Sequence, residues 1–247
     1  MLESDIEPLP GYIVSTLSNL DNHLRYKSRF RVDSEIEQKI EKFIGHFSDF
    51  ATITLAEGTL LRRARAYPKF KNKPFKAKEM GAPPPGLAGA GRMSPAGMPV
   101  LYLANSVDVA ISEIKPWSGA NVAVGNFKLI RSAKVLDLTK TSNPDRYQDE
   151  SALFLHNMLS ESMFSGKLSE NVHPDDDFSY ISTQYISDLI RQKGYDGLIF
   201  MSGQVRGGKN FVFFDVEIAK CNKVRSFKIC SLMYKYSPLA KLNGFIV

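Results

Sequence analysis

Within the stretch GRMSPAGMPVLYLANSVDVAISEIKPW, residues 91–117, Glu113 stands in the last turn of a short helical pattern. A carboxylate near a helix C-terminus opposes the helix dipole at a cost of roughly 0.3–1 kcal/mol. Propensity therefore does not explain Glu113, although a solvated surface glutamate would. The other groups suited to chemistry are arginines: Arg62, Arg63 and Arg65 cluster where an apolar strand pattern ends, and Arg92 precedes the segment that carries Tyr102. Cations converging on one polar cleft suit a pyrophosphate, and an edge strand with solvent-facing arginines accounts for them equally well.

Other motifs carry less. GQVRGGKN at 203–210 resembles a phosphate-binding loop, but Asn210 replaces the hydroxyl that would hold magnesium and a strand pattern follows where a helix is required. A nucleotide triphosphatase is excluded on that ground. GLAGAG at 86–91 has its glycines in the wrong order for a dinucleotide fingerprint and no strand before it. His23, His46, His156 and His173 are scattered, and the DDD run at 175–177 has no histidine at ligand spacing, so no metal site is expected. Lys69, Lys71, Lys73, Lys76 and Lys78, interleaved with Phe70 and Phe75, suit either a nucleic-acid backbone or, more commonly, a solvated loop.

These groups need elements to place them. Residues 98–104 put apolar side chains on both faces, as a buried strand does. Asn105 with Asp108 reads as a capping arrangement, after which Val107, Ala110, Ile111 and Ile114 share one helical face until Pro116 ends the helix. Upstream, Ile36, Ile40, Phe43, Ile44 and Phe47 recur at helical spacing, which predicts an N-terminal helical extension over residues 1–50 and a main domain over 51–247. TITLAEGTLLRRARAY reads as strand, and the prolines and glycines of residues 68–92 predict a long loop. Strands follow at NVAVGNFKLI, KVLDLT, YDGLIFMS and FVFFDVEIA, with helices near ALFLHNMLSESMF and over ISTQYISDLIRQK, the latter stopping at Gly194. More strands than helices, joined by turns as well as helices, predict an α+β fold.

At 247 residues the chain can bury one large core, and its net charge of +6 favours anionic partners without choosing among them. Two cysteines, Cys221 and Cys230, are too few for a disulfide framework. No apolar run is long enough to span a membrane, and MLESDIEP does not resemble a secretory signal, so a cytoplasmic location is expected.

Several blocks in order, RRAR (62–65), GAPPP and AGRMSPAG (81–97), LYLANSVDVAISEIKP (101–116), QYISDLIRQKGYDGLIFMS (184–202) and GKNFVFF (208–214), resemble the RES family. That resemblance implies a fold similar to ADP-ribosyltransferases, with a mixed, mainly antiparallel sheet and flanking helices. It also implies a toxin-like enzyme that consumes NAD as substrate, needs no cofactor, and is held in check by an Xre-type antitoxin. Carried over by position, the family's first arginine falls on Arg63, with Arg65 two residues away as the other candidate, and its second on Arg92. The family's tyrosine is Tyr102, its glutamate Glu113 and its serine Ser202. Asparagine or histidine is frequent in the family where Ser94 stands here.

The resemblance gives Glu113 a task. Breaking the nicotinamide–ribose bond develops positive oxocarbenium character, which a fixed carboxylate stabilises, and nicotinamide leaves as a neutral molecule without a second acid. Tyr102 would pack on nicotinamide or ribose, Arg63 and Arg92 would pair with pyrophosphate, and Ser202 would bond the ribose or orient Glu113. Arg65 and Asn210 are further substrate-binding candidates. Water, phosphate or a protein target would accept the ADP-ribose. The rival reading is a basic module that binds nucleic acid or protein without catalysis, and a second rival is a structural partner whose N-terminal helices mediate assembly, for instance into a homo-oligomer.

Overall fold

The computed structural model describes residues 9–69, 73–140 and 180–233. Two helices, α1 (Leu9–Tyr26) and α2 (Ser34–Ala51), precede an eight-stranded sheet. Its strands are β1 (Thr52–Leu55), β2 (Leu60–Ala66), β3 (Leu101–Ala104), β4 (Asn121–Leu129), β5 (Ala133–Asp137), β6 (Gly197–Met201), β7 (Lys209–Phe213) and β8 (Ala219–Lys228). Helix α3 (Val107–Glu113) follows β3, and α4 (Ile181–Gln192) precedes β6. The spatial order is β1-β5-β6-β7-β3-β2-β4-β8, and every neighbouring pair is antiparallel except β5 with β6. The α+β expectation holds, with a mixed and mainly antiparallel sheet.

Three local readings change. The single strand read in TITLAEGTLLRRARAY is two strands, because Gly58 turns the chain at φ 85° and sends β1 to β5 but β2 to β3 and β4. The helix cap is Ser106, whose Oγ accepts the Val109 N–H at 3.1 Å. Asn105 is withdrawn from that role because its Oδ1 accepts the Lys209 N–H at 3.0 Å, extending the β3–β7 ladder by one side chain. The loop after β2 is not wholly irregular, since Ala77–Glu79 makes one 3-10 turn closed by Glu79 onto the Lys76 N–H. The helix read near ALFLHNMLSESMF lies outside the described residues.

Side-chain alternation sorts the core onto two sheet faces. On one, α1, α2 and α4 cover Leu136, Leu198, Phe200, Val212 and Phe214. On the other, Leu61, Leu101, Leu103, Phe127, Phe211 and Phe213 form a continuous apolar cluster. Strand β3 is buried on both sides, as its pattern requires. Among the described residues, no helix is long and apolar enough to cross a membrane.

One irregularity opens the site. Strands β2 and β3 share a single register pair, Arg62 with Ala104, whereas β2 and β4 share seven. The sheet therefore parts between β2 and β3.

Candidate functional site

A cavity of about 430 Å³ lies at this parting. Its floor is one cross-strand row on a single face: Phe200 opposite Asn210, Asn210 opposite Ala104, and Ala104 opposite Arg62. Continuing the ladder would set Ala64 opposite Tyr102, but β2 has already turned away. The Tyr102 carbonyl instead accepts from Arg63 Nη1 at 3.0 Å, so a guanidinium fills the place of a missing strand N–H. Arg63 Nε is buried and has no hydrogen-bond partner among the described residues. Burial, followed by repulsion from Arg65, lowers the Arg63 pKa to about 10, so it remains cationic at neutral pH with no carboxylate paired to it among the described residues. A buried cation in this condition is stabilised by any anion that enters the cleft.

Glu113 ends α3 at the cavity wall. Its Oε1 accepts from both Ser202 Oγ and Asn210 Nδ2, each at 2.7 Å. The residue as a whole is exposed, so two buried donors hold one oxygen while the carboxylate stays open to the cleft. Ser202 is fixed in turn: its Oγ accepts the N–H groups of Gln204 and Val205 at 3.1 and 3.2 Å, which directs its hydrogen at Glu113. The turn that carries these N–H groups needs Gly208, where a Cβ would lie 2.5 Å from Val109 Cγ2. A glycine in GQVRGGKN thus lets α3 settle against the turn, and Ser202 meets Glu113 as a result. Just beyond the helix, Lys115 adopts φ 43° at the cavity rim, a conformation that costs a non-glycine residue about 1 kcal/mol.

The opposite wall is the Gly91–Ser94 turn, held by polar side chains on α4. Gln184 donates to the Gly91 and Ser94 carbonyls, Thr183 to that of Arg92, and Ser187 to that of Met93. The Met93 N–H donates to the Tyr102 hydroxyl at 3.1 Å, leaving the phenolic hydrogen for another acceptor. Burial raises the Tyr102 pKa, so that hydrogen is present at neutral pH. Gly91 is required because a Cβ there would come within 2.9 Å of the same hydroxyl. Arg92 lies over the Tyr180 ring at 5.7 Å, and both face the cavity.

Among the described residues, the cavity lining thus holds four cations, Arg62, Arg63, Arg92 and Lys115, against the single carboxylate of Glu113. Such an arrangement is suited to an anion, with a fixed negative charge set beside it. Of the residues singled out from sequence, Arg63, Arg92, Tyr102, Glu113 and Asn210 line the cavity, and Ser202 reaches it through Glu113. Arg65 lies apart, donating to the Glu79 carbonyl and lying over the Phe75 ring at 5.7 Å. Arg62, noted in sequence only as a member of the arginine cluster, also lines the cavity, and so do Lys115, Tyr180 and Phe200, which the sequence did not single out. Strand alternation hides Arg62, since neighbours on a strand face opposite ways, and only the parting of β2 from β3 brings both Arg62 and Arg63 to one cavity. Among the described residues, no group of three or more His, Cys, Asp or Glu side chains is placed to hold a metal ion.

The family model described as RES domain matches residues 60–235, well over half of the chain. The match begins at β2 and leaves α1, α2 and β1 outside it. Comparison with curated proteins finds no match.

Proposed function

The chain belongs to the RES domain family, and from that premise we propose that it cleaves the nicotinamide–ribose bond of NAD. The observation that carries this reading is the carboxylate of Glu113, pinned through one oxygen by Ser202 and Asn210 and set in a cleft lined by four cations. NAD is anionic at its pyrophosphate, which Arg63 and Arg92 pair with. Its ribose turns cationic as the base departs, and the second oxygen of Glu113 meets that charge. Tyr102 offers its ring and its phenolic hydrogen to the ribose or the nicotinamide. The acceptor is water, phosphate or a protein side chain, and the toxin-like role under an Xre-type antitoxin, in the cytoplasm, belongs to the same proposal. The test is incubation of purified protein with NAD, with free nicotinamide followed by chromatography in plain buffer, with added phosphate and with cell extract. Free ADP-ribose, a phosphorylated ADP-ribose or labelled protein identifies the acceptor. No nicotinamide under any of these conditions would leave the non-catalytic reading.

Ser202 and Asn210 are positioning residues in this scheme. A hydrogen bond to a charged group contributes about 1.5–3 kcal/mol. Ser202→Ala and Asn210→Ala should therefore each slow turnover by roughly ten- to a hundredfold with little change in KM. Because both donors serve the same oxygen, the double variant should lose less than the product of the two. Steady-state kinetics of the four proteins tests this, and a pure KM effect would place the two side chains on the substrate instead.

A further inference from the structure

The floor row of the cleft continues outward across β4 and β8, where Arg62 faces Asn126 and Asn126 faces Lys223. Lys223 and Arg225 on β8 share this sheet face, as do Lys128 on β4 and Lys220 opposite it. All four are exposed, and none makes an ion pair among the described residues. Lys128 directly opposite Lys220 places like charges across an antiparallel pair, which destabilises the pair unless an anion lies over it. From Ala219 onward the chain contains no Asp or Glu at all.

Strand β8 is also an edge, since it pairs only with β4 among the described strands. Ile229 directs its N–H inward to the Ala120 carbonyl at 2.8 Å. By strand alternation the N–H groups of Lys228, Ser226 and Val224 then face the open edge. We propose that the edge and cationic face of β8 dock an acidic, strand-forming segment of a partner protein, which adds to the sheet as a ninth strand.

The two features select this occupant together. An open ladder binds peptide backbone, and the lysines and arginine receive acidic side chains that recur every second residue, about 7 Å apart. A second copy of the chain is disfavoured, because β8 against β8 sets cation on cation. Nucleic acid satisfies the charges but cannot pair with the N–H and C=O groups of the edge. A partner strand seated here lies three strand spacings, roughly 14 Å, from β2 and the cleft. This inference does not depend on the reaction in the cleft.

The test uses the full chain and a fluorescent ten-residue peptide of alternating Glu and Val. Saturable binding is expected by anisotropy, weakening as salt rises. Hydrogen exchange should slow at Val224, Ser226 and Lys228 when the peptide binds. The double variant Lys223→Glu/Arg225→Glu, at exposed positions that leave the melting temperature unchanged, should bind about tenfold more weakly or worse. Unchanged affinity in that variant, no protection of those amides, or tighter binding of a twenty-base single-stranded DNA than of the peptide would each overturn the proposal.

Discussion

Glu113→Gln is expected to slow nicotinamide release roughly a thousandfold, about 4 kcal/mol of transition-state stabilisation, while KM for NAD changes little. The amide keeps the size of the carboxylate and can still accept from Ser202 and Asn210 through its oxygen. It lacks the negative charge, and the charge matters only once the ribose has become cationic. The loss should therefore fall on kcat. Glu113→Ala should be no better; the Gln variant should melt with the wild type because it keeps an acceptor for Ser202 and Asn210, whereas the Ala variant leaves these two buried donors without it and should melt somewhat lower. Parallel kinetics and thermal unfolding separate the cases: a large fall in melting temperature would make Glu113 a structural residue, and unimpaired release would remove it from the reaction.

The largest stability effect is expected at Gly197→Ala. Gly197 opens β6 and lies between Val135 of β5 and Phe213 of β7, where a Cβ would fall 2.0 Å from the Val212 carbonyl oxygen. Neither partner can yield, since Val135, Val212 and Phe213 are fully buried. Overpacking of this kind costs about 3 kcal/mol or more, which for a chain of this size lowers the melting temperature by about 10 °C. Gly89→Ala, at a position with open space around the new Cβ, is the matched control and should melt within a degree or two of wild type. Equal melting of the two variants would mean that β6 and β7 do not pair at this register.

Much of this architecture was legible from residue pattern because it depends on neighbours in the chain. The double-faced burial of β3, the short helix before Pro116 and the arrest of α4 at Gly194 are all local consequences of side-chain period and backbone freedom. The cap of α3 was misread because Asn105 and Ser106 are both good caps, and the choice depends on whether β7 lies alongside to claim Asn105. The role of Glu113 was not legible from its own segment. Its donors come 89 and 97 residues later, and only the order of motifs along the family pattern pointed to them. Arg62 stood out only as one of the arginine cluster and Lys115 not at all, because their placement in the cleft needs, for one, a sheet that parts and, for the other, a left-handed turn ahead of proline, both tertiary results. Arg65, beside Arg63 in sequence, is directed instead to Glu79 and Phe75.

The central claim is that the Glu113 carboxylate faces the ribose carbon whose bond to nicotinamide breaks. A crystal structure of the Glu113→Gln protein soaked with NAD tests this directly, since the slowed variant should retain intact ligand. The account predicts the pyrophosphate against Arg63 and Arg92, and the nicotinamide-ribose C1′ within about 3.5 Å of the residue 113 side chain. Dinucleotide bound elsewhere, or seated in this cleft with its adenosine end at residue 113, would contradict it.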